Sequence, residues 1–182
     1  MAGNTTTKAR DRVLGRLVVA SSAVAALLLG APGTGAAAEA GALALSGPAN
    51  VANAGQCWDL ASNALGTEVG VFTCHNEATY LSQKWYRSID APSVHNIQNV
   101  NGLCMDLRTN DVGARVIMAS CHFEESYRSQ KWYPVGEKLR NFRNSNGLCI
   151  ERPPTAGGPV VMAPCRYEDS YASQKWTTTG AW

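Results

Sequence analysis

Beyond residue 38, apolar and polar residues intermix over short stretches, and no long run settles into the i, i+3, i+4, i+7 spacing of an amphipathic helix. Asn96-Ile97-Gln98-Asn99-Val100 interleaves amides with apolar residues. Val116-Ile117-Met118 and Val160-Val161-Met162 are short β-prone runs, each ending near a cysteine. Turn-forming clusters such as "NGL" and "RPPTAGGP" punctuate them. Short strands at regular spacing with turns between them predict an all-β barrel or sandwich.

The pattern repeats. "SQKW" occurs at Ser82–Trp85, Ser129–Trp132 and Ser173–Trp176, after Tyr80, Tyr127 and Tyr171. Counting back from each tryptophan, Cys57 and Cys104 lie 28 residues upstream and Cys149 lies 27. Cys74, Cys121 and Cys165 each lie 11 upstream. The lead-ins "NVANAGQC", "NIQNVNGLC" and "NFRNSNGLC" align as well. The chain therefore reads as three units, about 47–93, 94–138 and 139–182, at spacings of 47 and 44 residues. A unit of that size cannot bury its own apolar face, so the three should close on one shared core. If the units are equivalent in space, the cysteine pairing must repeat within each. That gives Cys57–Cys74, Cys104–Cys121 and Cys149–Cys165, each worth about 3 kcal/mol by loop-closure entropy.

Composition changes the picture once. Lys8, Arg10, Arg12 and Arg16 precede the apolar run Leu17–Leu29, and Ala36-Ala37-Ala38 follows it. That is the order of a secretory signal peptide, expected over 1–38 with cleavage after Ala38 or, second, Ala40. A short N-terminal segment, 39–46, would then lead into the repeats. The 13-residue run is short for a membrane span, and no later stretch is long enough. The leader has four basic residues and Asp11, so a whole-chain charge of +2 leaves about −1 for the rest. No basic face for a nucleic-acid partner is expected. Six cysteines in a secreted chain suit three disulfides.

Three units with C-x-D-like starts, "CWDL", "CMDL" and "CIER", and Q-x-W ends resemble the ricin B-type β-trefoil lectins over residues 47–182. The resemblance implies an all-β β-trefoil, a six-stranded barrel capped by three hairpins. It implies secreted, non-catalytic binding of carbohydrate, often galactose-type sugars. Partners would be glycans or polysaccharide, with no cofactor. In a strand, Gln and Trp two apart share a face. The core repeat is therefore expected to be Gln83, Trp85, Gln130, Trp132, Gln174 and Trp176, with the glutamines satisfying unpaired backbone. Lys84, Lys131 and Lys175 would point the opposite way as surface charge. Trp58, in the slot of Met105 and Ile150, is expected in the core; Trp182 has no assigned place.

In the family pattern a sugar stacks on an aromatic two residues before the second cysteine, and the C-x-D carboxylate holds its hydroxyls. Asp59 and Phe72 match in the first unit. Asp106 matches in the second, but Ala119 replaces the aromatic. Glu151 and Ala163 stand in the third. Serine replaces the amide usually found before the glutamine in all three. His75, His122 with Phe123, or Arg166 with Tyr167, beside the second cysteines, are further candidates for the pocket. The tyrosines Tyr80, Tyr127 and Tyr171 suit either platforms or the core, and Asp59 and Asp106 suit either a sugar or a turn.

Oxidised cysteines remove a thiol nucleophile. Three acids spread around a threefold do not form the close carboxylate pair of a glycosidase. No zinc-like spacing survives disulfide pairing, so neither a metal nor catalysis is expected. The rival reading is a sugar-independent trefoil that binds a partner protein, as an inhibitor or toxin accessory subunit.

Overall fold

The computed structural model describes residues 48–88, 94–180 and 182. The expected signal peptide, the 39–46 segment and the limits of the first unit fall partly or wholly outside the described residues. Among the described residues, twelve short strands run in chain order: β1 Val51–Asn53, β2 Gln56–Leu60, β3 Val69–Thr73, β4 Trp85–Arg87, β5 Ile97–Asn99, β6 Cys104–Leu107, β7 Val116–Ala119, β8 Trp132–Val135, β9 Asn141–Asn144, β10 Leu148–Glu151, β11 Val161–Pro164 and β12 Thr177–Thr178. A single 3₁₀ turn precedes the last strand of each unit, at Leu81–Gln83, Arg128–Gln130 and Ala172–Gln174.

The strands form three antiparallel four-stranded sheets, ordered β12-β1-β2-β3, β4-β5-β6-β7 and β8-β9-β10-β11. Each sheet takes its first strand from the end of the preceding unit, and β12 pairs with β1 to close the ring. The result is an all-β trefoil. The hairpin loops interlock in the same cyclic sense. Gly66 N–H donates to Met118 O, Gly113 N–H to Met162 O and Gly157 N–H to Val71 O, all at 2.7 Å. These three glycines have φ near +80°, where a Cβ would be strained, so each loop can aim its N–H at the next unit.

Trp85, Trp132 and Trp176 are fully buried, as is Trp58, which packs against Trp85, Trp176 and Phe142. The three repeated indole N–H groups donate to Trp58 O, Met105 O and Ile150 O at 3.1, 3.3 and 3.1 Å. The three repeated rings are thus buried with their one donor satisfied, whereas the Trp58 indole N–H has no hydrogen-bond partner among the described residues. Trp182 packs edge-on against Phe142. The disulfides are Cys57–Cys74, Cys104–Cys121 and Cys149–Cys165.

The lysines of the repeat are not surface charges. Lys84, Lys131 and Lys175 are at most 8% exposed. The strand alternation that would turn them outward does not apply, because the glutamine closes a 3₁₀ turn and the lysine caps it, ahead of the strand. Each ammonium is turned under the loop that follows its unit's second cysteine. Lys84 Nζ donates to Asn50 Oδ1 and His75 O, Lys131 Nζ to Asn96 Oδ1, His122 O and Phe123 O, and Lys175 Nζ to Asn141 Oδ1 and Tyr167 O.

A second asparagine of each lead-in ties the units together. Asn99 Nδ2 donates to carbonyls of the first unit's 3₁₀ turn and Lys84, Asn144 Nδ2 to those of the second, and Asn53 Nδ2 to Ala172 O and Lys175 O of the third. Each short turn is thus bonded from the neighbouring unit, on carbonyls most of which also accept a backbone N–H.

Candidate functional site

The site residues are set by strand register. In the first unit Cys57 pairs with Phe72, Trp58 with Val71 and Asp59 with Gly70. Trp58 and Val71 face the core, so Cys57, Asp59, Gly70 and Phe72 share the outer face. Phe72 is therefore the diagonal neighbour of Asp59. Its ring lies down over Gly70. A Cβ at that glycine would come within 2.8 Å of Phe72 Cε2, and one at Gly157 within 3.6 Å of Cε1. The ring is 38% exposed and borders a shallow groove of about 380 Å³ whose walls include Thr67, Glu68 and Pro159.

Asp59 itself is bound inward. Its Oδ1 accepts from Leu60 N–H at 2.7 Å and its Oδ2 from Gln83 Nε2 at 2.9 Å. Gln83 also donates to Thr73 O and accepts from His75 N–H and Asn50 Nδ2. One glutamine thus ties together the Cys57 strand, the loop after Cys74 and the lead-in. A carboxylate has about four acceptor sites, so two remain on Asp59.

The other units repeat the knot without the ring. Asp106 accepts from Leu107 N–H and Gln130 Nε2 at 2.6 and 2.9 Å, and Glu151 from Gln174 Nε2 at 2.8 Å. Asp106 is buried and Glu151 half-buried. Opposite these acids stand Ile117 and Val161, and Ala119 and Ala163 take the place of Phe72. Of the five residues singled out in the sequence, Asp59 and Phe72 come together, while Asp106 and Glu151 lie in their own units. His75 joins the first knot through its backbone only. Its ring stacks on Tyr80 at 4.0 Å, and His122 stacks on Tyr127 in the same way. In the third unit Arg166 lies over Tyr171 at 5.6 Å. The three tyrosines are thus partly exposed supports for the residue after each second cysteine.

Sequence reasoning missed two features. Gly70 makes room for the Phe72 ring, and only the strand register reveals it. The Asn50–Lys84, Asn96–Lys131 and Asn141–Lys175 pairs were visible as letters common to all units, but their burial was not. Burial holds Lys131 below the ordinary lysine pKa, with Glu124 and Glu125 pulling the other way. No cluster of metal-ligating side chains occurs among the described residues. None of their helices is long and apolar enough to cross a membrane.

A threefold β-trefoil with a Q-x-W knot in every unit defines the class of fold. The model of the ricin-type beta-trefoil lectin domain matches residues 47–176, and the chain belongs to that family. Comparison with curated proteins gives no match. Among solved structures, the designed threefold-symmetric protein ThreeFoil is similar at TM-score 0.63 and 16% identity, covering 75% of this chain and 100% of its own. The agglutinin of Abrus precatorius is similar at 0.58 and 19%, covering 72% of this chain and 47% of its own. The Polyporus squamosus lectin, bound to a human-type influenza-binding epitope, is similar at 0.58 and 18%, covering 72% and 48%. This chain thus spans less than half the length of either of those two. At such identities the likeness is one of fold.

Proposed function

We propose that the protein is a secreted, non-catalytic carbohydrate-binding protein whose first unit takes a galactose-type sugar, alone or at the end of a polysaccharide. The observation that carries this is the Phe72 ring, flat over Gly70 beside Asp59 and open on the groove side. An apolar sugar face stacks on such a ring at little polar cost, and the free lone pairs of Asp59 accept from the hydroxyls. The family membership, the sugar-bound Polyporus lectin and the three disulfides of an oxidising compartment support the reading. Each acid bonds its own glutamine in its own unit, which fits binding rather than acid–base work.

The test is Phe72→Ala, since truncating a partly exposed ring leaves the knot alone. Wild-type protein should be retained on immobilised galactose or a galactose-bearing polysaccharide, and the variant should wash through with an unchanged unfolding midpoint. Wild-type protein that binds no glycan at millimolar concentration would refute the reading. Asp59→Ala is a poor test because it also removes a partner of Gln83.

One observation favours the second reading, a sugar-independent trefoil that docks on a partner protein. Asp59 and Asp106 make the same two bonds, although only Asp59 has a ring beside it. In that reading the acids are architecture alone, and Phe72→Ala changes no glycan interaction.

A further inference from the structure

Each Asn–Lys pair floors a surface pocket, and the three pockets have diverged in their walls. In the second unit the pocket has a volume of about 240 Å³ over Asn96 and Lys131, with Phe123, Tyr133, Glu125 and Arg128 around it. In the first unit Asn76, Ala78 and Leu81 stand where the second has Phe123, Glu125 and Arg128. The third has Tyr167, Asp169 and Ala172. Two aromatic walls and a pair of opposite charges coincide in the second unit alone.

We propose that this pocket is a second ligand site, which takes one neutral pyranose residue against Phe123 and Tyr133. It shares no residue with the Asp59–Phe72 face. The floor is rigid. The Lys131 ammonium uses its three N–H groups on Asn96 Oδ1, His122 O and Phe123 O at 2.8, 3.2 and 2.9 Å. It fixes the backbone of the Phe123 wall and has no donor left for a ligand.

Recognition therefore falls to the rim. The exposed Glu125 carboxylate feels the Lys131 charge but makes no hydrogen bond or contact ion pair among the described residues, so its oxygens are open to hydroxyl donors. Arg128 makes one side-chain contact, Nη2 to Ser145 O at 3.4 Å, leaving most of its five donors open. An acceptor and a donor of opposite charge suit a polyol, whose hydroxyls do both. A ligand with a net charge meets repulsion from one of them. The volume lies below the roughly 300–1,000 Å³ of drug-sized sites, on the scale of a single ring.

The test is an amide NMR titration of the disulfide-bonded Phe72→Ala protein, which removes the first site. Methyl glycosides of galactose, glucose and mannose are compared with methyl glucuronide. Saturable shifts are expected for His122 to Arg128 and Ser145 with at least one neutral glycoside, and weaker ones with the glucuronide. Adding Phe123→Ala should weaken binding about tenfold, the size of one aromatic contact, and Glu125→Gln should weaken it as well. Phe123 is exposed, so an unchanged spectrum elsewhere certifies the fold. The inference falls if no neutral glycoside saturates these amides, if the glucuronide binds more tightly, or if Phe123→Ala has no effect. Binding by wild-type protein that disappears entirely in Phe72→Ala would leave the first site standing and remove this one.

Discussion

Replacing the knot glutamine with leucine tests whether Q-x-W is architecture. Gln83→Leu keeps most of the volume and removes every polar bond. Four groups lose a partner: the Asp59 carboxylate, Thr73 O, His75 N–H and Asn50 Nδ2, bonded at 2.9, 2.9, 2.7 and 3.4 Å, and of these Asn50 Nδ2 keeps its bond to His75 O. A buried group left unsatisfied costs about 1–3 kcal/mol, more if charged. Thr73 is exposed and His75 half-exposed, so water recovers part of their loss, while Asp59 is buried. The expected loss is about 3–4 kcal/mol, a large share of a typical domain's stability. Gln130→Leu should match it, since Asp106 is equally buried. Gln174→Leu should cost about 1–2 kcal/mol less, because water can reach the half-buried Glu151. The assay is guanidinium unfolding with the disulfides intact, followed by tryptophan fluorescence and read as a midpoint shift at constant slope. A loss under about 1 kcal/mol for Gln83→Leu would refute the estimate. So would a Gln174→Leu cost equal to that of Gln130→Leu.

Gly70→Val places a side chain where Phe72 Cε2 lies 2.8 Å from the new Cβ, so the ring must lift. Ile117 and Val161 at the same register indicate that the backbone tolerates the change. Retention on immobilised galactose should fall while the unfolding midpoint holds, and undiminished retention would show that Phe72 is not the platform. Burial lowers the pKa of His95 below 6.5, the Ser88 carbonyl works against this, and Arg87 adds to it. As pH falls through 6.5 the unfolded chain takes up the proton first, so stability is full above 6.5 and is lost as pH drops toward the folded value. Thermal midpoints between neutral and mildly acid pH should show the decline, and His95→Gln should flatten that share of it. Replacing Cys149 and Cys165 with alanine opens a loop of 16 residues and should cost about 3 kcal/mol in the same unfolding assay.

Much of the fold was legible because a threefold core forces copies. Trp85, Trp132 and Trp176 meet at one core, so each must meet nearly the same surroundings, and their letters and spacing repeat. The cysteine pairing followed from the same equivalence. The lysines were misread for a local reason. Alternation predicts a face only inside a continuous strand, and a 3₁₀ turn ends one residue before each lysine. A lysine with two or three oxygen partners under a loop is indistinguishable by letter from one in water. In the sequence the lead-in asparagines are legible only as amides interleaved with apolar residues. Asn50, Asn53, Asn96, Asn99, Asn141 and Asn144 are all buried, and they cap carbonyls that lie 13 to 122 residues away or hold the lysines.

The candidate site was less legible, for the opposite reason. Positions that must be identical in three units are those that close the trefoil, so a recognition residue is free to differ. Asp59, Asp106 and Glu151 are nearly the same residue, and they make nearly the same bonds to the knot. What distinguishes the units lies beside the knot. Gly70 with Phe72 faces Asp59 in the first, and Phe123 with Glu125 and Arg128 surrounds the Asn–Lys floor in the second. The third has Val161 and Ala163 in the one place and Tyr167 with Asp169 in the other. Repetition in this chain therefore marks what holds the ring together, and departure from repetition marks where a ligand can be told apart. On the proposed reading the three units do not offer equivalent sugar sites, because Phe72 is replaced by Ala119 and Ala163. If the two proposed sites both bind, avidity within one chain comes from unlike sites on neighbouring units.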